Sequence, residues 1–357
     1  MKNLEDVKYM TRALQLAERG LWTTDPNPRV GCVIVKDGDV VGEGWHQRAG
    51  EPHAEIYALQ AAGDRAKNAT AYVTLEPCCH FGLTPPCSQA LISAGISRVV
   101  AAMVDPNPHV AGQGLAQLQA AGIEVKSGVL QPQAEALNRG FIKRMREKLP
   151  FVRLKLAMSL DGRTAMKNGE SQWITSQESR HDVQQYRARS SAILTGINTV
   201  LADDPALTVR LPNVSRQPLR VVLDTHLRIS PAAQIFKQHG RNLIFTAKET
   251  DLNLPNTEIV QVSLKNGRLN LLEICHILAK KAINELHVEC GATLAGAFIE
   301  AKLVDELVLY VAPTFLGDQA RGLLQLPHLE HLQDRINLKI QEIRAIGNDW
   351  RITLEIL

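Results

Sequence analysis

The chain carries His53-Ala54-Glu55 and, further on, Pro77-Cys78-Cys79 with another cysteine at Cys87. A histidine nitrogen and two thiolates complete the three-protein-ligand set of a catalytic zinc site, leaving the fourth position open for water. A carboxylate beside that water and outside the ligand set can then carry protons. His53 is the expected nitrogen ligand and Glu55 the free carboxylate, both at a helix start. Pro77 ends a strand, Cys78 sits where a turn begins, and Cys87 falls in the first turn of the next helix. Backbone N–H groups at such helix starts favour both sulfurs as thiolates. The position directly after the proline makes Cys78 the preferred ligand, whereas Cys79 would point elsewhere in an extended backbone; His80 is the competing donor. Residues 80–86 read as a loop inserted between ligands, near enough to the site to touch a substrate. The alternative is that the cysteines pack as small hydrophobes and His53 is satisfied in a core; four required residue types in order tell against it.

These residues need elements to hold them. Residues 4–19 read as an amphipathic helix with Leu4, Val7, Met10, Leu14 and Ala17 on one face and Gly20 as its C-cap. Two β-branched runs around Asp37-Gly38 then predict a hairpin. A helix from about His53 to Ala62, a strand ATAYVTLEP, a helix from about Pro86 to Ala94 and a strand SRVVAAMVD follow. The helix GLAQLQAAG and the strand IEVKSGV complete a half whose alternation predicts an α/β layer with a mostly parallel sheet. The basic run at 138–148 has Phe141, Ile142 and Met145 at helical spacing, so it reads as the solvated face of a helix. After Pro150 the pattern restarts with the strand FVRLKLAM and a helix from about Gln177 to Ser190 opened by a capping box, Thr175 to Glu178. The strands AILTG, LRVVLD, NLIFTA and ELHVE come next, then a glycine turn into the helix of GATLAGAFIEAK, and finally the strand ELVLYVAP. DPNP at 25–28 and 105–108 reads as two similar turns without matching flanks.

At 357 residues and 45% hydrophobic, the chain can bury two cores, and the expected boundary lies near 147–151. A net charge of +3, without basic stripes, points away from nucleic-acid and membrane surfaces. Six cysteines without regular spacing suit a reducing cytoplasmic compartment, and the charged N-terminal stretch lacks the apolar segment of an export signal.

NPRVGCVIV, HAE, TLEPCCHFGLTPPC and DPNPHVAGQG resemble the deaminase half of the bifunctional pyrimidine deaminase/reductase family of riboflavin biosynthesis. LKLAMSLDGRTA, SQWITS, LTGINTVLADDPALTVR and HVECGATLAGAF resemble its reductase half. The resemblance implies an α/β chain: an N-terminal cytidine-deaminase-like three-layer domain at 1–147 and a C-terminal dihydrofolate-reductase-like domain at 151–357. It implies Zn2+ and NADPH as cofactors, a pyrimidine ribosyl phosphate as substrate, no nucleic-acid or membrane partner, and a homo-oligomer, dimer or tetramer. The first reaction removes the 2-amino group of 2,5-diamino-6-(ribosylamino)-4(3H)-pyrimidinone 5′-phosphate; the second reduces the ribosyl group to ribityl.

The amide of Asn27 can donate to and accept from a pyrimidine edge, and by resemblance it lines the base pocket; an ordinary Asn-Pro turn is the even alternative. Lys155, on the strand that precedes Asp161, is either an edge residue or a functional one, and the resemblance gives it a substrate-side role. Arg187 and Arg210 are candidates to clamp the substrate phosphate, because a guanidinium fork suits that geometry. Ser171, Leu207 and Glu289 complete the implied substrate contacts. The turn at Gly291 into a helix leaves backbone N–H groups free but is not G-x-G-x-x-G; it is the resemblance that makes Gly291, Ala292, Thr293 and Leu294 the cofactor phosphate site. Ala157, Trp173, Thr199, Asp203 and Thr225 match further positions expected near NADPH. Two other readings compete. A deaminase acting on tRNA adenosine needs a basic, aromatic-bearing groove that 4% aromatics do not supply near His53. A nucleotide sensor with a dead domain conflicts with the intact zinc motif.

Overall fold

The computed structural model describes residues 2–79, 86–108, 110–212, 214 and 216–357. His80 and the loop through residue 85, expected to compete for the metal and to touch substrate, lie outside the described residues. The chain divides into two units, Met1–Lys148 and Leu149–Leu357.

The first unit opens with helix α1 (Lys2–Glu18) and the hairpin of β1 (Gly31–Lys36) and β2 (Asp39–Trp45). Asp37 (φ 53) and Gly38 (φ 87) both take left-handed backbone at the turn, which is what a two-residue turn matched to the strand twist requires. Helix α2 (Ala54–Ala62), β3 (Thr70–Val73), α3 (Cys87–Ser93), β4 (Arg98–Ala101), α4 (Gln113–Ala120), β5 (Glu124–Ser127), α5 (Gln131–Leu137) and α6 (Arg139–Glu147) follow. The sheet order is β2-β1-β3-β4-β5. The expected mostly parallel sheet has one reversed strand: β1 runs antiparallel to both its neighbours, β2 and β3, while β3, β4 and β5 pair in parallel. The tight hairpin enforces the first antiparallel pairing, since a two-residue turn cannot join parallel strands.

Both faces of this sheet are covered. Along β1, Cys32 and Ile34 enter one core cluster with Ala54, Ala58 and Leu91, while Val33 and Val35 enter another with Met10 and Ala13. Alternation of period two, apolar on both faces, makes three layers. Helix α2 lies directly on β2: a Cβ added at Gly44 would stand 2.4 Å from the Ala54 carbonyl oxygen, so only glycine permits that approach. It fixes the helix start that carries His53 and Glu55.

The second unit runs β6 (Phe151–Ser159), β7 (Arg163–Ala165), α7 (Gln177–Arg189), β8 (Ala192–Gly196), α8 (Ile197–Asp203), β9 (Leu219–Leu223), β10 (Asn242–Thr246) and β11 (Thr257–Gln261). Then come β12 (Leu264–Lys265), β13 (Arg268–Leu269), α9 (Leu271–Lys280), β14 (Glu285–Glu289), α10 (Ala292–Glu300), β15 (Glu306–Ala312), β16 (Arg321–Gly322), β17 (Leu338–Ile346) and β18 (Asp349–Ile356). Nine strands form one sheet in the order β11-β10-β9-β8-β14-β6-β15-β18-β17. From β11 to β15 the neighbours are parallel, and the β17–β18 hairpin joins antiparallel. The cap of α7 differs from expectation. Ser176, one residue after Thr175, accepts from the Ser179 N–H at 3.2 Å and is the N-cap. Lys155 does not lie on an edge strand, because β6 is paired on both sides.

Candidate functional site

His53 is the N-cap of α2, Cys78 follows the end of β3, and Cys87 is the first residue of α3. These elements bring Nδ1 of His53 to 3.2 Å from the Cys87 sulfur and 3.5 Å from the Cys78 sulfur. One ligand atom from each of the three lies within 4.8 Å of the others, and this is the one such His/Cys/Asp/Glu group among the described residues. The Cys87 backbone N–H points at the Cys78 sulfur at 3.4 Å, as expected at a helix start. The Cys87 thiol, then the His53 ring and that N–H, hold the Cys78 thiol down at about 4. Cys87, facing that sulfur and buried, is pushed up. Two sulfurs and an imidazole nitrogen at this separation are a donor set that fits zinc. Cys79 turns away, its sulfur 3.9 Å from Oε1 of Gln113.

Glu55 is only 3% exposed. Burial pushes its carboxyl up to about 7, poised between accepting and donating a proton near neutral pH. It lines a cavity of about 230 Å³ together with Asn27, His46, His53, Cys78, Asp105, Asn107 and Phe141. Asn27 is therefore at the site, its Nδ2 3.0 Å from Nε2 of His46. The other ring nitrogen of His46 faces the Pro52 carbonyl oxygen at 3.1 Å, so Nδ1 carries the proton, and Nε2 accepts from the Asn27 amide. That contact fixes which way the amide faces.

Sequence reasoning missed Glu76. Its carboxylate, buried beside Pro77, accepts backbone N–H bonds from Asp105, Gly112, Gly114 and Leu115 at 2.8–3.2 Å. It ties the segment before Cys78 to the loop that brings Asp105 and Asn107 to the cavity. One signal was available: Glu76 directly precedes the proline of the metal motif.

In the second unit a cleft of about 1230 Å³ follows the C-terminal ends of β6, β14, β8 and β9. Lys155, Ala157, Ser171, Trp173, Arg187, Thr199, Asp203, Leu207, Arg210, Thr225, Glu289, Gly291, Ala292, Thr293 and Leu294 all line it. Residues far apart in sequence meet there because parallel strands bring their carboxyl ends to one edge. The volume exceeds the usual ~300–1,000 Å³ of a single-ligand pocket and suits a cofactor with a substrate. Ala292, Thr293 and Leu294 have no acceptor for their backbone N–H groups among the described residues, as a phosphate-binding helix start requires. Arg187 is committed: Nε and Nη2 grip Glu289, and Nη1 donates to the Thr208 carbonyl at 3.0 Å. The Arg210 guanidinium has no hydrogen-bond partner among the described residues; burial, and then the Arg187 charge, lower its pKa. Burial lowers the pKa of Lys155 as well, against the opposing pull of Glu289.

Comparison with known proteins follows the same division. The profile of the cytidine and deoxycytidylate deaminase zinc-binding region matches residues 4–103, and that of the RibD C-terminal domain matches residues 150–352. The riboflavin biosynthesis protein RibD of Escherichia coli (strain K12) is 54% identical, with 97% of this chain and 98% of the relative aligned. The chain belongs to the RibD family. The Haemophilus influenzae RibD is 51% identical over 98% of this chain and 97% of its own length. The solved RibD of Acinetobacter baumannii superposes with a TM-score of 0.94 at 44% identity, covering 99% of both chains. A Thermotoga maritima diaminohydroxyphosphoribosylaminopyrimidine deaminase/5-amino-6-(5-phosphoribosylamino)uracil reductase gives 0.91 at 33% identity, covering 100% of both. As in other RibD proteins, the chain is a bifunctional riboflavin-biosynthesis enzyme, a zinc-dependent deaminase and an NADPH-dependent reductase. The expected fold class holds. No helix among the described residues is long and apolar enough to cross a membrane.

Proposed function

We propose that residues 1–147 deaminate 2,5-diamino-6-(ribosylamino)-4(3H)-pyrimidinone 5′-phosphate and that residues 151–357 reduce the ribosyl group of the product to ribityl. The observation that carries this reading is a cluster of three metal-donor side chains beside a buried carboxylate in one unit and a cleft of about 1230 Å³ in the other.

In the first site His53, Cys78 and Cys87 would hold the zinc. Bound there, the ion supplies Lewis-acid activation of water. Glu55 takes one proton from that water and delivers it to the adjacent ring nitrogen as the water oxygen bonds to the amino-bearing carbon; it then takes the second proton from the new hydroxyl and gives it to the amine, whose C–N bond breaks to release ammonia and leave a carbonyl. Asn27, oriented by His46, donates to and accepts from the pyrimidine edge, which sets the amino-bearing carbon against the water.

The second site would hold NADPH, which when bound would supply a hydride to C1′ of the ring-opened sugar: the C1′–O4′ bond gives way to a C1′=N imine, O4′ takes up a proton, and the hydride with a second proton on nitrogen completes the ribitylamine. Ala292, Thr293 and Leu294 direct their N–H groups at the cofactor phosphates, with Gly291 before them. Ala157, Trp173, Thr199, Asp203 and Thr225 hold the rest of the cofactor. Arg210, whose donors are open, takes the substrate phosphate; Arg187 stands behind it as a held positive charge. Lys155, Ser171, Leu207 and Glu289 position the sugar, so that register between C1′ and the nicotinamide does most of the catalytic work.

The enzyme works in a reducing cytoplasm, which the six free cysteines support. It forms a homo-oligomer, supported by Ile340, Ile343 and Trp350, exposed on the hairpin at the sheet edge. Incubating the zinc-loaded chain with the diaminopyrimidine phosphate tests the catalytic reading. Ammonia should appear without NADPH, and NADPH should be oxidised only after deamination. Ammonia release with no subsequent NADPH oxidation would remove the reductase assignment.

A further inference from the structure

The residues assigned to NADPH account for its phosphate bridge and nicotinamide but include no cation for the 2′-phosphate, the group that separates NADPH from NADH. The cleft supplies two. His226 and Arg228 lie on the loop after β9, directly after Thr225 in the chain, Arg268 lies on β13, and all three line the cleft. Arg228 spends one N–H on Oδ1 of Asn198 at 2.7 Å, and its other donors have no partner among the described residues. Arg268 has none at all among them. The carboxylates lining the cleft are Glu289, already gripped by Arg187, and Asp203 on α8; among the described residues neither forms an ion pair with Arg228 or Arg268, so both guanidinium groups keep donors to offer.

Sheet order sets the scale. Lys155 and Ala157 stand on β6, the phosphate-binding helix start follows β14, α8 follows β8, and the arginine loop follows β9, each strand the neighbour of the one before. Three inter-strand steps of ~4.8 Å put the two ends roughly 14 Å apart, with the helix start between them. A dinucleotide whose phosphate bridge sits at α10 and whose nicotinamide points toward Lys155 must send its adenosine ribose toward β9. We infer that Arg228 and Arg268 bind the 2′-phosphate of NADPH and give this chain its preference for NADPH over NADH. The inference rests on the cleft being the cofactor site. Guanidinium suits the task, because its fork meets phosphate at two points and stays charged at every working pH. The chemistry is binding alone, with no bond made or broken.

The test is titration calorimetry on the zinc-loaded full chain with NADPH, NADH and adenosine 2′,5′-bisphosphate. Arg228→Ala and Arg268→Ala should each weaken NADPH and the bisphosphate on the order of tenfold, the loss of one charge-assisted contact, and leave NADH within about twofold. Together they should abolish most of the preference. Gly291→Asp is the control for the cleft itself. Space is open there and φ is −78°, so the variant should fold, while its carboxylate opposes the phosphate bridge of both cofactors. If Gly291→Asp weakens both cofactors and the arginine variants keep the wild-type ratio of NADPH to NADH, the arginines do not read the 2′-phosphate. If Gly291→Asp weakens neither, the cofactor lies elsewhere and the inference falls with the cleft. Loss of bisphosphate binding in Arg210→Ala with retention in the double variant would put the 2′-phosphate at the opposite end and overturn it as well.

Discussion

Arg187 on α7 and Glu289 at the end of β14 form a two-point ion pair, Nε to Oε1 at 2.6 Å and Nη2 to Oε2 at 2.9 Å. Burial opposes the charge on Glu289, yet Arg187 outweighs it and holds the carboxyl well below the usual carboxylate range. His287, buried one pleat below, stands 3.2 Å from the same Oε1. The pair occupies the wall of the cleft, so its state governs how much charge a phosphate entering there meets.

Arg187→Ala should therefore destabilise the second unit by about 3–5 kcal/mol, because it leaves a buried carboxylate unpaired. Replacing both partners, as in Arg187→Met with Glu289→Leu, should recover much of that loss. Urea unfolding of the three proteins reads this directly. An Arg187→Ala enzyme as stable as wild type but poor in substrate binding would mean that the pair opens in solution and Arg187 contacts the phosphate itself.

Zinc content should separate the adjacent cysteines. Cys78→Ser removes a sulfur that faces His53 and Cys87, whereas Cys79→Ser removes one that faces Gln113. Metal analysis should find about one zinc per chain in wild type and in Cys79→Ser, and much less in Cys78→Ser, since a three-protein-ligand site cannot spare a thiolate. The reverse pattern would exchange the two assignments.

The cluster of His53, Cys78 and Cys87 was legible because its chemistry lies in local residue types: His53, Pro77-Cys78 and Cys87 announce themselves wherever the fold takes them. Glu76 was not, since its partners are backbone amides 29–39 residues away, and an amide has no sequence signature. His46 was hidden for the same reason: its role is to orient Asn27, which depends on a tautomer set by the Pro52 carbonyl. The cap of α7 was misplaced by one residue because Thr175 and Ser176 are both good caps, and only backbone geometry chooses between them. Strand β17 escaped notice because a register shift between Ile340 and Glu342 breaks the period of two that would have marked it. Arg228 and Arg268 belong to no motif in the sequence, and only the folded chain brings them to one cleft.

Acid stability should depend on Asp6. Its carboxylate, 1% exposed, joins α1 to the sheet through Arg98 at 2.7 and 3.0 Å, Lys126 at 2.8 Å and the Tyr72 hydroxyl at 3.1 Å. Arg98 foremost, with Lys126 and against burial, lowers its pKa from 3.8 to about 2. A carboxyl depressed in the folded state stabilises fully above its unfolded value, and that stabilisation fades as pH falls from 3.8 toward 2. The amount at stake is about 2 kcal/mol. The stability difference between wild type and Asp6→Asn, from urea unfolding, should thus shrink by about that much between pH 6 and pH 2. A difference independent of pH would show that the carboxylate charge contributes nothing there.

The two activities should come apart. Glu55 and the metal donors belong to the unit Met1–Lys148, and every proposed reductase residue belongs to Leu149–Leu357. Glu55→Gln keeps His53, Cys78 and Cys87 and removes the proposed proton carrier, so zinc should stay bound while deamination falls by about 10²–10⁴. Supplied with the already deaminated uracil intermediate, the same variant should still oxidise NADPH at the wild-type rate. Matched melting curves are needed, since Glu55 is buried and a loosened first unit could depress the second activity indirectly. With the fold intact and zinc in place, loss of NADPH oxidation would mean that the reductase needs a working deaminase site. Retention would leave each unit responsible for one reaction, with Glu55 confined to the first.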